Sequence, residues 1–142
     1  MIGTSSQHPD FLRELGVDQV IDYSTTAFEE VVSDVDVVLD LIGGDTQQRS
    51  WKILKPGGIV VSTIQPPSAE EAATHNARAG FVDSAPPIGP NLTEIARLVD
   101  AGQLKPTVSM VLSLDDIRRA HELIEGRHTM GKIVLQVVPG PG

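Results

Sequence analysis

The residues of this chain that could do chemistry are few. Its four histidines, His8, His75, His121 and His128, stand in no H-x-x-x-H or H-E-x-x-H spacing, and there is no cysteine. A zinc centre of imidazoles and thiolates has no local framework, so no metal is expected. The acidic pairs Glu29-Glu30, Glu70-Glu71 and Asp115-Asp116 fall in or beside expected helix starts. Carboxylates favour the helix dipole there, and no glycosidase-like pair is read from them. What remains is mostly backbone. Ile42-Gly43-Gly44 follows an apolar run and would end a strand at the edge where open α/β sheets receive ligands; two missing side chains let a ligand approach closely. A tight strand-to-helix turn needs the same glycines. Thr4-Ser5-Ser6 offers hydroxyls that serve equally as ligand donors or as a helix cap. No catalytic residue can be named.

These positions need a frame, and the spacing of apolar and turn residues supplies one. Met1-Ile2-Gly3-Thr4 reads as the end of a buried strand. Pro9 suits a first helical turn, residues 8–15 read as helix, and Gly16 is the left-handed stop. Residues 17–23 read as a strand, and Thr25 or Thr26 is expected to cap a second helix reaching about Ser33. V-D-V-V-L-D-L-I over 35–42 is a run of the kind buried on both faces of a parallel sheet. A third helix is expected over 45–54, stopped by Lys55-Pro56-Gly57-Gly58, then a β-branched strand over 59–63. Ser68 and Glu71 form a capping box opening a helix that should end near Gly80, with a strand over 81–84.

Further along, Leu92, Ile95, Ala96 and Val99 recur at helical spacing within 91–101, with Gly102 as stop, and 107–112 is extended. Ser113 with Asp116 marks another helix start; Leu114, Ile117, Ala120, His121 and Ile124 supply its stripe, and Gly126 closes it. Residues 132–138 read as a terminal strand and 139–142 as a disordered tail. Alternating strand and helix predict an α/β fold with a doubly wound parallel sheet.

Composition bounds the partners. At 142 residues and 40% hydrophobic content the chain can bury a sizeable core, and 1–138 is read as one domain. A net charge of −8 repels phosphate backbones and anionic membranes, which argues against nucleic acid. No apolar run approaches the roughly 18–20 residues needed to span a bilayer, and no signal segment follows Met1, so a cytoplasmic protein with no membrane partner is expected.

Five segments occur in a recognisable order: L-G-V-D-Q-V-I-D-Y at 15–23, V-D-V-V-L-D-L-I-G-G at 35–44, L-K-P-G-G at 54–58, G-Q-L-K-P at 102–106 and G-K-I-V-L at 131–135. Together they resemble the medium-chain dehydrogenase/reductase superfamily, and within it the quinone oxidoreductase branch. The resemblance implies the C-terminal half of an NADP(H)-dependent reductase that passes hydride to a quinone or enone. Similar enzymes also carry an N-terminal barrel-like domain, which holds the metal ligands in zinc-dependent relatives, and a first strand running into G-x-G-x-x-G. Neither is in this sequence.

An incomplete Rossmann-type cofactor domain, followed by a segment of the catalytic domain, is therefore expected. Such a chain would be inactive alone and bind NADP(H) weakly or not at all. The gap left by the first strand has two resolutions: closure to the flavodoxin-like order 2-1-3-4-5, or a partner chain supplying the N-terminal half. A homodimer is the simplest self-association. The alternative to an enzyme is a non-enzymatic binding or assembly module.

Carried over residue by residue, the resemblance places Thr4, Ser5 and Ser6 near the adenosine ribose and its 2′-phosphate, and Tyr23 on the adenine side. Ile42, Gly43, Gly44 and Thr63 fall on the nicotinamide side; many relatives have glycine where Ile64 stands. Arg127 matches an arginine that contacts the cofactor phosphate. His121, in an A-H-E-L segment usual in the family, is expected to pack structurally. Tyr23 reads equally as a strand-end aromatic, and Arg127 as a solvated cation at a helix end.

Overall fold

The computed structural model describes residues 1–83, 88–126 and 129–138. It divides into two compact units between residues 86 and 87. The first contains β1 (Ile2–Thr4), α1 (Pro9–Glu14), β2 (Gln19–Ile21), α2 (Phe28–Val31), β3 (Val35–Asp40) and α3 (Gly44–Ser50), which tightens into a 3-10 turn over Trp51–Ile53. There follow β4 (Leu54–Ser62), α4 (Ala69–Thr74) and β5 (Arg78–Phe81). Every strand pair is parallel: β1 with β2, and β3-β4-β5 with β4 in the centre. Helices connect successive strands, the α/β class expected from the alternation.

The closed 2-1-3-4-5 order is not formed. β1 pairs with β2 and β3 with β4, and no ladder joins β1 to β3. Side chains bridge the two sheets instead. Ile21 of β2, Phe28, Val32 and Ile53 form a buried cluster against which Val35 and Val38 of β3 pack. Val38 also meets a second cluster of Trp51, Val60 and Ala72. Apolar contact of this kind needs no hydrogen-bond register, so the sheets can cohere without a shared ladder.

The apolar run on β3 was expected to be buried on both faces and is buried on one. Asp40 lies at 5% exposure, whereas Val37 and Leu39 on the alternate positions are 59% and 61% exposed. Central β4 comes closer to the expectation, with Val60 and Ser62 fully buried.

Four boundaries differ for local reasons. Lys55-Pro56-Gly57-Gly58 is not a plain stop but an irregularity inside β4, since Val35 pairs with Leu54 and Val37 with Ile59. The excess residues fold outward at Gly57 (φ +81°), and a Cβ on Gly58 would lie 3.0 Å from the Lys55 carbonyl and 3.1 Å from that of Asp36. α4 begins at the predicted capping box, the Glu71 N–H donating to Ser68 Oγ at 3.2 Å. It ends at Thr74 rather than near Gly80, because Asn76 takes the left-handed conformation (φ +47°) that a glycine would otherwise supply. Gly80 is then inside β5, and of the strand expected over 81–84 only Phe81 belongs to it; Ser84 lies outside the described residues. Thr25 and Thr26 do not cap α2, whose cap is Ala27, because both backbone N–H groups bond to the Asp22 carbonyl in a turn of their own.

The second unit contains α5 (Ile88–Asp100), β6 (Val108–Ser113), a 3-10 turn over Leu114–Asp116, α6 (Ile117–Glu125) and β7 (Lys132–Gln136), with β6 and β7 parallel. Gly102 stops α5 as expected, and the N–H groups of Gln103 and Leu104 close on the Leu98 carbonyl at 2.9 and 3.1 Å. The helix start expected at Ser113 is found there, as the residue before the 3-10 turn that runs into α6; its hydroxyl makes no cap bond and donates to Asp116 at 3.3 Å. Ala120 alone of the predicted stripe is buried, and His121, expected to pack, is exposed. Residues 139–142, read as a tail, lie outside the described residues.

Candidate functional site

Two rims hold the residues singled out from sequence, each at the carboxyl ends of parallel strands. On the first, β1 and β2 lead out to Thr4, Ser5, Ser6 and Tyr23. The Ser5 N–H extends the ladder to the Ile21 carbonyl at 2.9 Å, and the Ser5 hydroxyl accepts from the His8 N–H at 3.0 Å. Ser5 is thus engaged just ahead of α1 but does not cap it: the N-cap residue is His8, and no side chain makes the cap bond. Ser6 donates to Tyr23 Oη at 3.0 Å, bringing the two strand ends together, and Tyr23 is 55% exposed. Thr4 is exposed. Next to Tyr23, Asp22 accepts from the Ser24 N–H at 2.9 Å and its hydroxyl at 2.6 Å, and these bonds hold its carboxyl below the ordinary range.

The second rim joins the ends of β3 and β4. Gly43 is buried with φ +76°, and a Cβ there would meet Ile64 Cγ2 at 3.1 Å and the Gln65 side chain at 3.5 Å. The space above Gly43 is therefore already taken by Ile64. Gly44 (φ +55°) has nothing within 4 Å of the corresponding point, so the open approach to backbone is at Gly44. Ile42 is 70% and Ile64 54% exposed, giving this rim an apolar edge. Thr63 is exposed, with its N–H on the Asp40 carbonyl at 3.2 Å. Arg127 lies outside the described residues.

Beneath the second rim is a polar network that sequence reading missed. Asp40 Oδ1 accepts from the N–H groups of Ile42 and Gly43 at 3.0 and 2.8 Å. Its Oδ2 accepts from Gln47 Nε2 at 2.9 Å and Ser62 Oγ at 2.8 Å. Ser62 Oγ accepts in turn from the N–H groups of Ile64 and Gln65 at 3.2 and 3.4 Å. Gln47 and Gln65 close the circuit through Gln47 Nε2 to the Gln65 carbonyl at 3.2 Å and Gln65 Nε2 to Gln47 Oε1 at 3.4 Å. Burial pushes the Asp40 carboxyl up, but the four donors outweigh it and hold the group below the usual carboxylate value. The signal was present in sequence: an Asp and a Ser inside buried β-branched runs must find partners, and here they find each other.

The chain has no cysteine, and among the described residues no three His, Asp or Glu come together as a metal group. No helix of the described residues is long and apolar enough to cross a membrane.

Residues 15–135 match the family model described as zinc-binding dehydrogenase. The quinone oxidoreductase from Coxiella burnetii superimposes with a TM-score of 0.84 at 32% identity, covering 96% of this chain and 44% of that one. The 2-haloacrylate reductase of Burkholderia sp is 32% identical over 95% of this chain and 47% of its own length. The NAD(P)H oxidoreductase RTN4IP1, mitochondrial, of Danio rerio is 28% identical over 95% of this chain and 42% of its own length. The chain thus spans less than half the length of each relative.

Proposed function

Since the chain belongs to the zinc-binding dehydrogenase family, we propose that it provides the cofactor-binding part of an NADP(H)-dependent oxidoreductase of quinone oxidoreductase type, with a quinone or enone as acceptor. Residues 1–138 are read as one partial cofactor-binding domain with a segment of the catalytic domain, and the cytoplasm as its compartment. The observation that carries the proposal is the position of the nine sequence-selected residues. Eight of them, all but Arg127, stand at carboxyl ends of parallel strands, where open α/β sheets take nucleotides.

When bound, the cofactor supplies the hydride. Thr4, Ser5, Ser6 and Tyr23 would bind its adenosine end through hydroxyls, with Ser6 and Tyr23 already paired. Ile42, Gly43, Gly44 and Thr63 would hold the nicotinamide end, with bare backbone open to it at Gly44, since Ile64 covers Gly43. Arg127 would meet a phosphate. The apolar faces of Ile42 and Ile64 would keep water from the ring edge. The chain's part is orientation and exclusion of water, and no side chain is assigned a covalent role.

The sequence offers no G-x-G-x-x-G, so a strong pyrophosphate cradle is not expected from this chain by itself. Calorimetric titration with NADPH and NADH is the test. Weak or absent heat from the 142-residue chain, and recovery of NADPH binding and quinone reduction when the N-terminal half of a close relative is added, are the expected results. Complementation that yields a complex but no hydride transfer sinks the enzyme reading. It would favour the second reading, an assembly module, for which the uncovered Val37 and Leu39 face is the specific support.

A further inference from the structure

We propose that Asp40 is a positioning residue that yokes the Ile42-Gly43-Gly44 turn to the Thr63-Ile64-Gln65 turn, so that the two sides of the second rim act as one rigid unit. The division of labour on its carboxylate carries this. Oδ1 serves the first turn alone, through two backbone N–H groups, while Oδ2 reaches Ser62 and Gln47, the side chains that grip the second turn. Ser62 Oγ receives the Ile64 and Gln65 N–H groups, and Gln47 bonds to both the backbone and the side chain of Gln65. Asp40 reaches the second turn directly only through its backbone carbonyl, which accepts from the Thr63 N–H at 3.2 Å; the side-chain ties to Ile64 and Gln65 come from Ser62 and Gln47, both bonded to its carboxylate.

A second contact locks the arrangement. Gly43 presents bare backbone where a Cβ would lie 3.1 Å from Ile64, so the two turns also pack closely at that point. Burying a carboxylate is costly, and an apolar pair of similar volume would fill the space as well. What an apolar pair cannot do is fix two turns at one separation by directional bonds. The inference deepens the proposed function, on which its ligand consequence rests: the gap between the turns sets how the nicotinamide end is received.

The test uses the full chain, 15N-labelled, with backbone amide exchange and ligand titration read by NMR. In Asp40→Asn the exchange of Ile64 and Gln65, which do not bond to Asp40, is expected to quicken along with that of Ile42 and Gly43. Quickening at Ile42 and Gly43 only, with Ile64 and Gln65 unchanged, overturns the yoke. Should Asp40→Asn fail to fold, Ser62→Ala gives the reciprocal reading: the yoke requires faster exchange at Ile42 and Gly43, which do not bond to Ser62, and unchanged exchange there overturns it. With the chain complemented by the N-terminal half of a close relative, titration with reduced nicotinamide mononucleotide should weaken about tenfold in either variant, one lost charged bond's worth, while adenosine 2′,5′-bisphosphate binds as in wild type. Equal loss for both probes overturns a positioning role in favour of general loosening. If the wild-type chain complemented with that N-terminal half shows no shift at this rim with the nicotinamide probe, the cofactor reading falls, and the exchange arm, read on the chain alone, still decides the yoke.

Discussion

At the scale of the residue, Asp40 concentrates the most consequence, because four donors depend on one buried carboxylate. Asp40→Ala leaves Gln47, Ser62 and two backbone N–H groups without their acceptor and is expected to cost about 3 kcal/mol, read as a lowered urea midpoint at pH 7. The folded carboxyl sits below its ordinary value of 3.8, so the unfolded chain takes up the proton first. The stability Asp40 confers is fully present above that value and drains away as pH falls through the folded pKa. Comparison of wild type with Asp40→Asn across this acid range should show their difference shrinking; a constant difference contradicts the assignment. Two glycines give a sharper contrast. At Gly131 (φ +86°) a Cβ would lie 2.5 Å from the Thr107 carbonyl, while at Gly44 it would meet nothing. Gly131→Ala should therefore cost about 3 kcal/mol or more, through clash with the backbone that holds β6 to β7, and Gly44→Ala only about 1 kcal/mol for its left-handed backbone. Equal costs in thermal melts would show that the packing at Gly131 yields more than its geometry allows.

At the scale of the element, two short helices are held in different ways, α4 by a side-chain cap and α2 from outside. α4 has six residues and its Ser68 cap is the bond predicted from sequence. Ser68→Ala should cost about 1 kcal/mol, and Ser68→Asp should restore most of it; equal melting temperatures in all three proteins would count against a working cap. α2, with four residues and no side-chain cap, is held from outside: Arg49 of α3 bonds to Glu29 at 2.9 Å, also reaches Asp45 at 2.9 Å, and lies 5.0 Å over the Phe28 ring. The capping box was legible because its donor and acceptor are three residues apart. The Arg49 anchor was not, because Glu29 is 20 residues away along the chain and becomes a neighbour only once β3 has run between them.

At the scale of the whole molecule, unpaired strand edges and open apolar surface set the expected behaviour. β1 and β3 present edges that no ladder joins, Val37 and Leu39 lie exposed beside them, and β7 carries Ile133-Val134-Leu135 along a strand paired only with β6 among the described residues. Such edges accept another chain. A homodimer in sedimentation is expected; a strict monomer at high micromolar concentration would contradict it.

Period and punctuation in the sequence determined which segments are strand and which helix, that the strands run parallel, and that the residues singled out as candidates fall on the turns after β1, β2, β3 and β4. Those properties depend on residues near one another in the chain: Pro9 at a first turn, Gly102 at a stop, Gly43-Gly44 after an apolar run. The tertiary structure decided three matters that no local pattern contains. The sheet did not close because a ladder between β1 and β3 needs two edges at one spacing, while the apolar cluster that joins the two sheets through Ile21 of β2 and Val35 and Val38 of β3 needs only proximity. The approach to bare backbone moved from Gly43 to Gly44 because Ile64, 21 positions on, fills the first space. Asp40 became the centre of the rim because Ser62 is its direct partner across the β3-β4 ladder. Register brings those two side chains together, and register is a property of paired strands rather than of either strand alone.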